Sequence, residues 1–93
     1  MKSILQNEKR CFLCGSYEWL EFHHVWGGAN RKVSDKNGFA VYLCHYCHNE
    51  PPRGVHHNKE NMRKLQAICQ AEFERQGHSR EEFVRLIGRN YLD

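Results

Sequence analysis

The chain has 93 residues and a formal net charge of +3, so it has room for one small core and permits nucleic-acid binding without demanding it. No stretch approaches the ~20 apolar residues of a membrane span, and Met1 to Arg10 is mostly polar, unlike a signal peptide. Five cysteines are an odd number, so closely spaced pairs in a reducing, cytoplasmic protein are expected to hold metal rather than form a disulfide framework.

In chain order, residues 1–10 read as a polar lead-in with room for a short helical turn, ending at Cys11-x-x-Cys14-Gly15, where glycine suits the tight turn of a metal knuckle. The stretch Trp19 to Val25 is rich in aromatic and branched residues and predicts a strand that Gly27-Gly28 breaks. Arg31, Lys32 and Lys36 then read as a basic loop. Asn37-Gly38 reads as a turn, and Phe39 to Leu43 as a second strand delivering Cys44, so the two strands are expected to form a β-hairpin.

Pro51-Pro52-Arg53-Gly54 stops any helical turn begun at Cys44 to His48. Asn58 is a candidate N-cap for a helix whose apolar stripe is Met62, Leu65, Ile68, Cys69 and Phe73, ending near Gly77. Cys69 sits alone on that stripe and reads as core. Ser79 with Glu82 forms a capping box ahead of Phe83, Leu86 and Ile87, and Gly88 is a natural stop. No repeat or linker divides the chain, so residues 1–93 are read as one domain with a motif core at 11–57 and a helical part at 58–93.

Two Cys-x-x-Cys turns, Cys11/Cys14 and Cys44/Cys47, can offer four thiolates to one structural Zn²⁺, a closed site with no open position for a substrate. Chemistry would have to come from the histidines, of which there are seven. Imidazole ligates divalent transition metals and can act as a general base near neutral pH. A phosphodiester hydrolase needs both functions. His23 and His24 could divide them, although neighbours in a regular strand point to opposite faces.

Cys11 to Cys14, Phe22-His23-His24, Leu43 to His48 and Gly54 to His56 together resemble the HNH endonuclease family, and His78 to Leu92 is similar to the end of short phage and prophage HNH proteins. The resemblance implies an α+β fold, a small ββα-metal (HNH, or His-Me finger) domain with a structural zinc and C-terminal helices. It implies hydrolysis of DNA phosphodiesters to 5′-phosphate and 3′-hydroxyl ends, with His24 as general base. His23, His48 and His56 take the places of ligands to one catalytic divalent ion (Mg²⁺, Mn²⁺, Ni²⁺ or Zn²⁺), with His57 the alternative third ligand. Asn30 and Asn37 are the candidates for the middle asparagine. A phage context implies partners in packaging or recombination.

Arg31, Lys32, Lys36 and Arg53, with Trp26, are expected to contact the DNA backbone, while Trp19 and Trp26 could equally be core. Two other readings use the same residues. Cys44-x-x-Cys47-His48 is also a haem-attachment pattern, which would require export. The four cysteines and the basic segment would also serve a non-catalytic zinc module that binds nucleic acid or protein.

Overall fold

A computed structural model of the chain describes residues 2–92. Along it run strand β1 (Leu20–His24), helix α1 (Arg31–Asn37), strand β2 (Ala40–Cys44) and helices α2 (His45–His48), α3 (Lys59–Arg75) and α4 (Arg80–Ile87), with 3-10 turns at Gly28–Asn30 and Val55–His57. The fold is α+β. Its sheet is the antiparallel pair β1·β2, in which Leu20 lies opposite Cys44 and His24 opposite Ala40.

The two strands pair antiparallel as the sequence suggested, but the basic segment between them is not a loop. Fifteen residues separate them, and Arg31, Lys32 and Lys36 belong to α1 rather than to a loop. The physical reason lies at the middle and at the C-terminal end of this short helix. Buried Ser34 donates to the Trp26 carbonyl at 2.7 Å, and the Trp26 N–H donates back to Ser34 Oγ at 3.3 Å, tying α1 to the exit of β1. Gly38, with φ +74°, closes the helix in the left-handed conformation, so Asn37-Gly38 marks a helix end.

Residues 2–10 contain no helical turn. They run along the free edge of β2 instead. The Ile4 N–H donates to the Gly38 carbonyl at 3.0 Å, Ser3 Oγ donates to the Ala40 carbonyl, and Gln6 Oε1 accepts from the Tyr42 N–H. Beyond them the Phe12 N–H donates to the Tyr42 carbonyl at 2.9 Å, so this strap covers an edge that would otherwise expose unpaired backbone groups.

The core behind the sheet is largely aromatic. Trp26 packs edge-on against Phe39 and Phe83 at centroid distances of 5.4 and 5.3 Å, and Phe39 packs against Phe73 at 5.3 Å. Trp26 is therefore a core residue, 4% exposed, and not a backbone contact for DNA, whereas Trp19 is 67% exposed. Cys69 is fully buried, and burial raises its thiol pKa. Ile68, expected on the same buried stripe, is 45% exposed.

Local signals set the ends of the two long helices. Asn58 Oδ1 accepts from the Asn61 N–H at 2.9 Å to cap α3, and Ser79 Oγ accepts from the Glu82 N–H at 3.0 Å to cap α4. The Glu82 carboxylate turns to His78 Nδ1 at 3.0 Å. Gly88, with φ +95°, ends α4.

A Cβ at Gly38 would run into the Lys2 carbonyl, whereas one at Gly28, with φ +56°, meets nothing within 4 Å. Left-handed backbone costs an L-residue about 1–2 kcal/mol by itself. Gly38→Ala is therefore expected to lower Tm by roughly 5–15 °C, and clearly more than Gly28→Ala, in thermal unfolding followed by circular dichroism.

Candidate metal centres

Among the described residues, two clusters of metal-ligating side chains come together, each with its donor atoms all within 4.8 Å of one another. The first is Cys11, Cys14, Cys44 and Cys47, and it could hold a zinc ion. Cys14 and Cys44 present their sulfurs 3.6 Å apart, too far for a disulfide and close to the ~3.8 Å edge of a tetrahedron with ~2.3 Å zinc–sulfur bonds. The cluster joins the strap before β1 to the junction of β2 and α2.

Its electrostatics favour a cation. Burial pushes the Cys11 thiol up, but hydrogen bonds from the backbone of Cys44, Cys14 and Leu13 outweigh this and bring it down to about 7. Cys47 is raised, first by burial and then by the neighbouring sulfurs of Cys44 and Cys11. Four thiolates cannot crowd together without a positive charge between them, and zinc supplies it as the protons leave.

The second cluster is His23, His48 and His56. Its centroid distances are 5.0 Å from His23 to His48, 5.3 Å from His23 to His56 and 4.6 Å from His48 to His56. Three elements supply it: β1, the end of α2 and the 3-10 turn before α3. His57, next in the chain, lies outside the cluster and is exposed.

His23 is 4% exposed, and its Nε2 is a buried polar atom without a hydrogen-bond partner. Such an orphan costs on the order of 1–3 kcal/mol unless something satisfies it. Burial, followed by the imidazoles of His48 and His56, pulls the His23 pKa down to about 3. Burial also lowers His56. Both rings are therefore neutral near pH 7, the state in which imidazole donates a lone pair to a metal. Three imidazoles with one orphaned nitrogen fit a divalent transition metal and, unlike the four thiolates, leave a coordination position open.

Glu21 braces this site from the same face of β1 as His23. Its Oε1 accepts from His48 Nδ1 at 2.8 Å and from Asn49 Nδ2 at 2.9 Å. This hydrogen bond at Nδ1 orients the His48 ring, whose Nε2 lies 2.9 Å from His56 Nε2. Glu21 Oε2 accepts from His45 Nδ1 at 3.2 Å, and His45 Nε2 donates to Glu50 at 2.8 Å. The His48 hydrogen bond, reinforced by His45 and Asn49, holds the Glu21 carboxyl below its usual range, and Glu21 raises His45 in turn. Sequence reasoning passed over Glu21, although its place two residues before His23 in a strand was a usable signal.

His24 is not part of the imidazole cluster. Its ring lies on the opposite face of β1, edge-on to Phe22 at 5.2 Å, with Nε2 3.4 Å from Asp35 Oδ1 on α1. Neither candidate asparagine approaches it through a hydrogen bond: Asn30 Nδ2 donates to the Ile87 carbonyl at 3.0 Å and Asn37 Nδ2 to the Val33 carbonyl at 2.9 Å. Arg31, Lys32 and Lys36 are exposed on the helix that carries Asp35. Arg53 lies on the other side, in a groove with Cys14, Cys47 and Lys64 beside the thiolate cluster. No family model matches the chain, and neither a curated protein nor a solved structure does. No helix among the described residues is long and apolar enough to cross a membrane.

Replacing Cys47 by Ser is expected to abolish one equivalent of bound zinc, read by elemental analysis, and to lower Tm by roughly 10 °C or more. A strong chelator should bring the wild-type Tm down to that of the variant and leave the variant unchanged. At the other cluster, Glu21→Ala should weaken Ni²⁺ binding about 10–100-fold in calorimetric titration of zinc-loaded protein, with the zinc content intact.

Proposed function

We propose that the protein is a metal-dependent DNA endonuclease of the ββα-metal (HNH) type, hydrolysing phosphodiesters to 5′-phosphate and 3′-hydroxyl ends. The observation that carries this reading is the convergence of His23, His48 and His56 with an orphaned buried Nε2, next to a second histidine on the same strand. A structural module has no need of such a centre, because the thiolate cluster already supplies a staple.

His23, His48 and His56 would hold the catalytic ion, with Glu21 fixing the tautomer of His48. Bound there, a divalent ion would neutralise charge on the phosphate and the leaving oxygen. An all-imidazole set favours Ni²⁺ or Zn²⁺ over Mn²⁺ and Mg²⁺, which prefer oxygen donors. His24 would accept the proton of the attacking water through Nδ1. Its Nε2–H, directed at the Asp35 carboxylate, keeps that tautomer and would steady the imidazolium as it forms. The two histidines face opposite sides of β1, so the scissile phosphate would lie across the end of the strand, with α1 and its three cations on the His24 side.

One observation favours a second reading, a non-catalytic zinc module that binds nucleic acid: His24 stands outside the imidazole cluster. Plasmid nicking separates the two. Wild-type protein with Ni²⁺ is expected to nick and EDTA to stop it, while His24→Ala should cut about 10²–10⁴-fold more slowly with unchanged zinc and unchanged Ni²⁺ affinity. Full activity in His24→Ala would remove it from the mechanism, and an inert wild-type protein that binds both metals would favour the module.

A further inference from the structure

A cleft of about 550 Å³ opens next to His56, between the first turns of α3 and the segment after α4. It is lined by Lys59, Arg63, Arg89, Tyr91, His57 and Gln66 among others, and by no carboxylate. Arg63 and Arg89 both hold their guanidinium carbons over the Tyr91 ring, 5.7 and 5.3 Å from its centroid. Neither arginine, nor Lys59, has an acidic partner among the described residues.

Guanidinium groups gathered on one ring without a counter-ion repel one another, and the fold holds them there. Tyr91 is fixed through its ring, 5.4 Å from Trp26, and through its N–H, which donates to Gln70 Oε1 at 2.7 Å. Gln70 is fully buried, and its Nε2 donates to Asn90 Oδ1 at 2.8 Å, so the tail that carries Arg89 is tied to α3. Preorganised cations beside a proposed metal site suit an anion that continues out of that site. A planar guanidinium stacked on an aromatic ring keeps its N–H edge for phosphate oxygens.

We infer that this cleft binds the backbone phosphates of the DNA strand flanking the scissile bond, with Arg63 and Arg89 as a clamp anchored on Tyr91 and Lys59 beside it. This rests on the nuclease reading for its substrate and adds to it the path of the strand, which leaves the metal centre past His56. The cations singled out by sequence lie elsewhere, on α1 and beside the thiolate cluster.

The test is fluorescence anisotropy of a labelled DNA duplex with zinc-loaded protein and no other divalent ion added, over a series of salt concentrations, run beside plasmid nicking with Ni²⁺. Arg63→Ala/Arg89→Ala is expected to weaken binding about tenfold or more and to lower the slope of log affinity against log salt by about 1 per arginine. Lys59→Ala/Arg63→Ala, which leaves the tail untouched, should act in the same direction. Arg85→Ala, an exposed cation of α4 outside the cleft, should change affinity less than twofold. Unchanged affinity and slope in both double variants, or an equal loss in Arg85→Ala, would overturn the clamp even if the protein cuts DNA. Loss of binding confined to the cleft variants in a protein that never nicks would keep the clamp and overturn the nuclease.

Discussion

The pairing of Leu20 with Cys44 is the constraint on which the rest depends. In that register Glu21 and His23 share one face of β1, the face toward which α2 and the following 3-10 turn deliver His45, His48 and His56. A slip of one residue would turn both away and bring Phe22 and His24 in. Cys44 also belongs to the thiolate cluster, so a zinc ion bound there would lock the register at the position where β2 becomes α2.

That register places polar residues where a core would take apolar ones. On β2, Val41 and Leu43 are fully buried, and opposite them on β1 stand His23 and Glu21, while Phe22 faces outward at 44% exposure. A strand with its polarity inverted lowers stability, and such departures from local consistency concentrate at functional sites. The orphaned Nε2 of His23 belongs to the same pattern. A cation would satisfy the nitrogen, and Glu21, supported by Asn49, already holds the next imidazole in position for it.

Much of the fold was legible because its signals are local. The Asn58 and Ser79 caps, the Gly88 stop and the burial of Cys69 each follow from a few neighbouring residues. Helix α1 was not legible, because seven residues without a long apolar stripe are marginal as an isolated helix. Tertiary bonds hold it, chiefly Ser34 to Trp26, and Asn37-Gly38 carries the same letters whether it ends a helix or turns a hairpin. Trp26 could not be assigned to core or surface from composition, since its partners Phe39, Phe83 and Tyr91 come from distant parts of the chain.

What the sequence by itself determined was the set of donors: two Cys-x-x-Cys turns, whose three-residue spacing puts both sulfurs on one side of a tight loop, and histidines next to them in number. Only the tertiary structure decided that His56 and not His57 joins His23 and His48, that His24 turns to Asp35, and that Arg63 and Arg89 meet on Tyr91. The reason is the range of the forces involved. Spacing within a turn is set by covalent geometry, whereas strand register and side-chain convergence are set by packing between segments that are far apart in the chain.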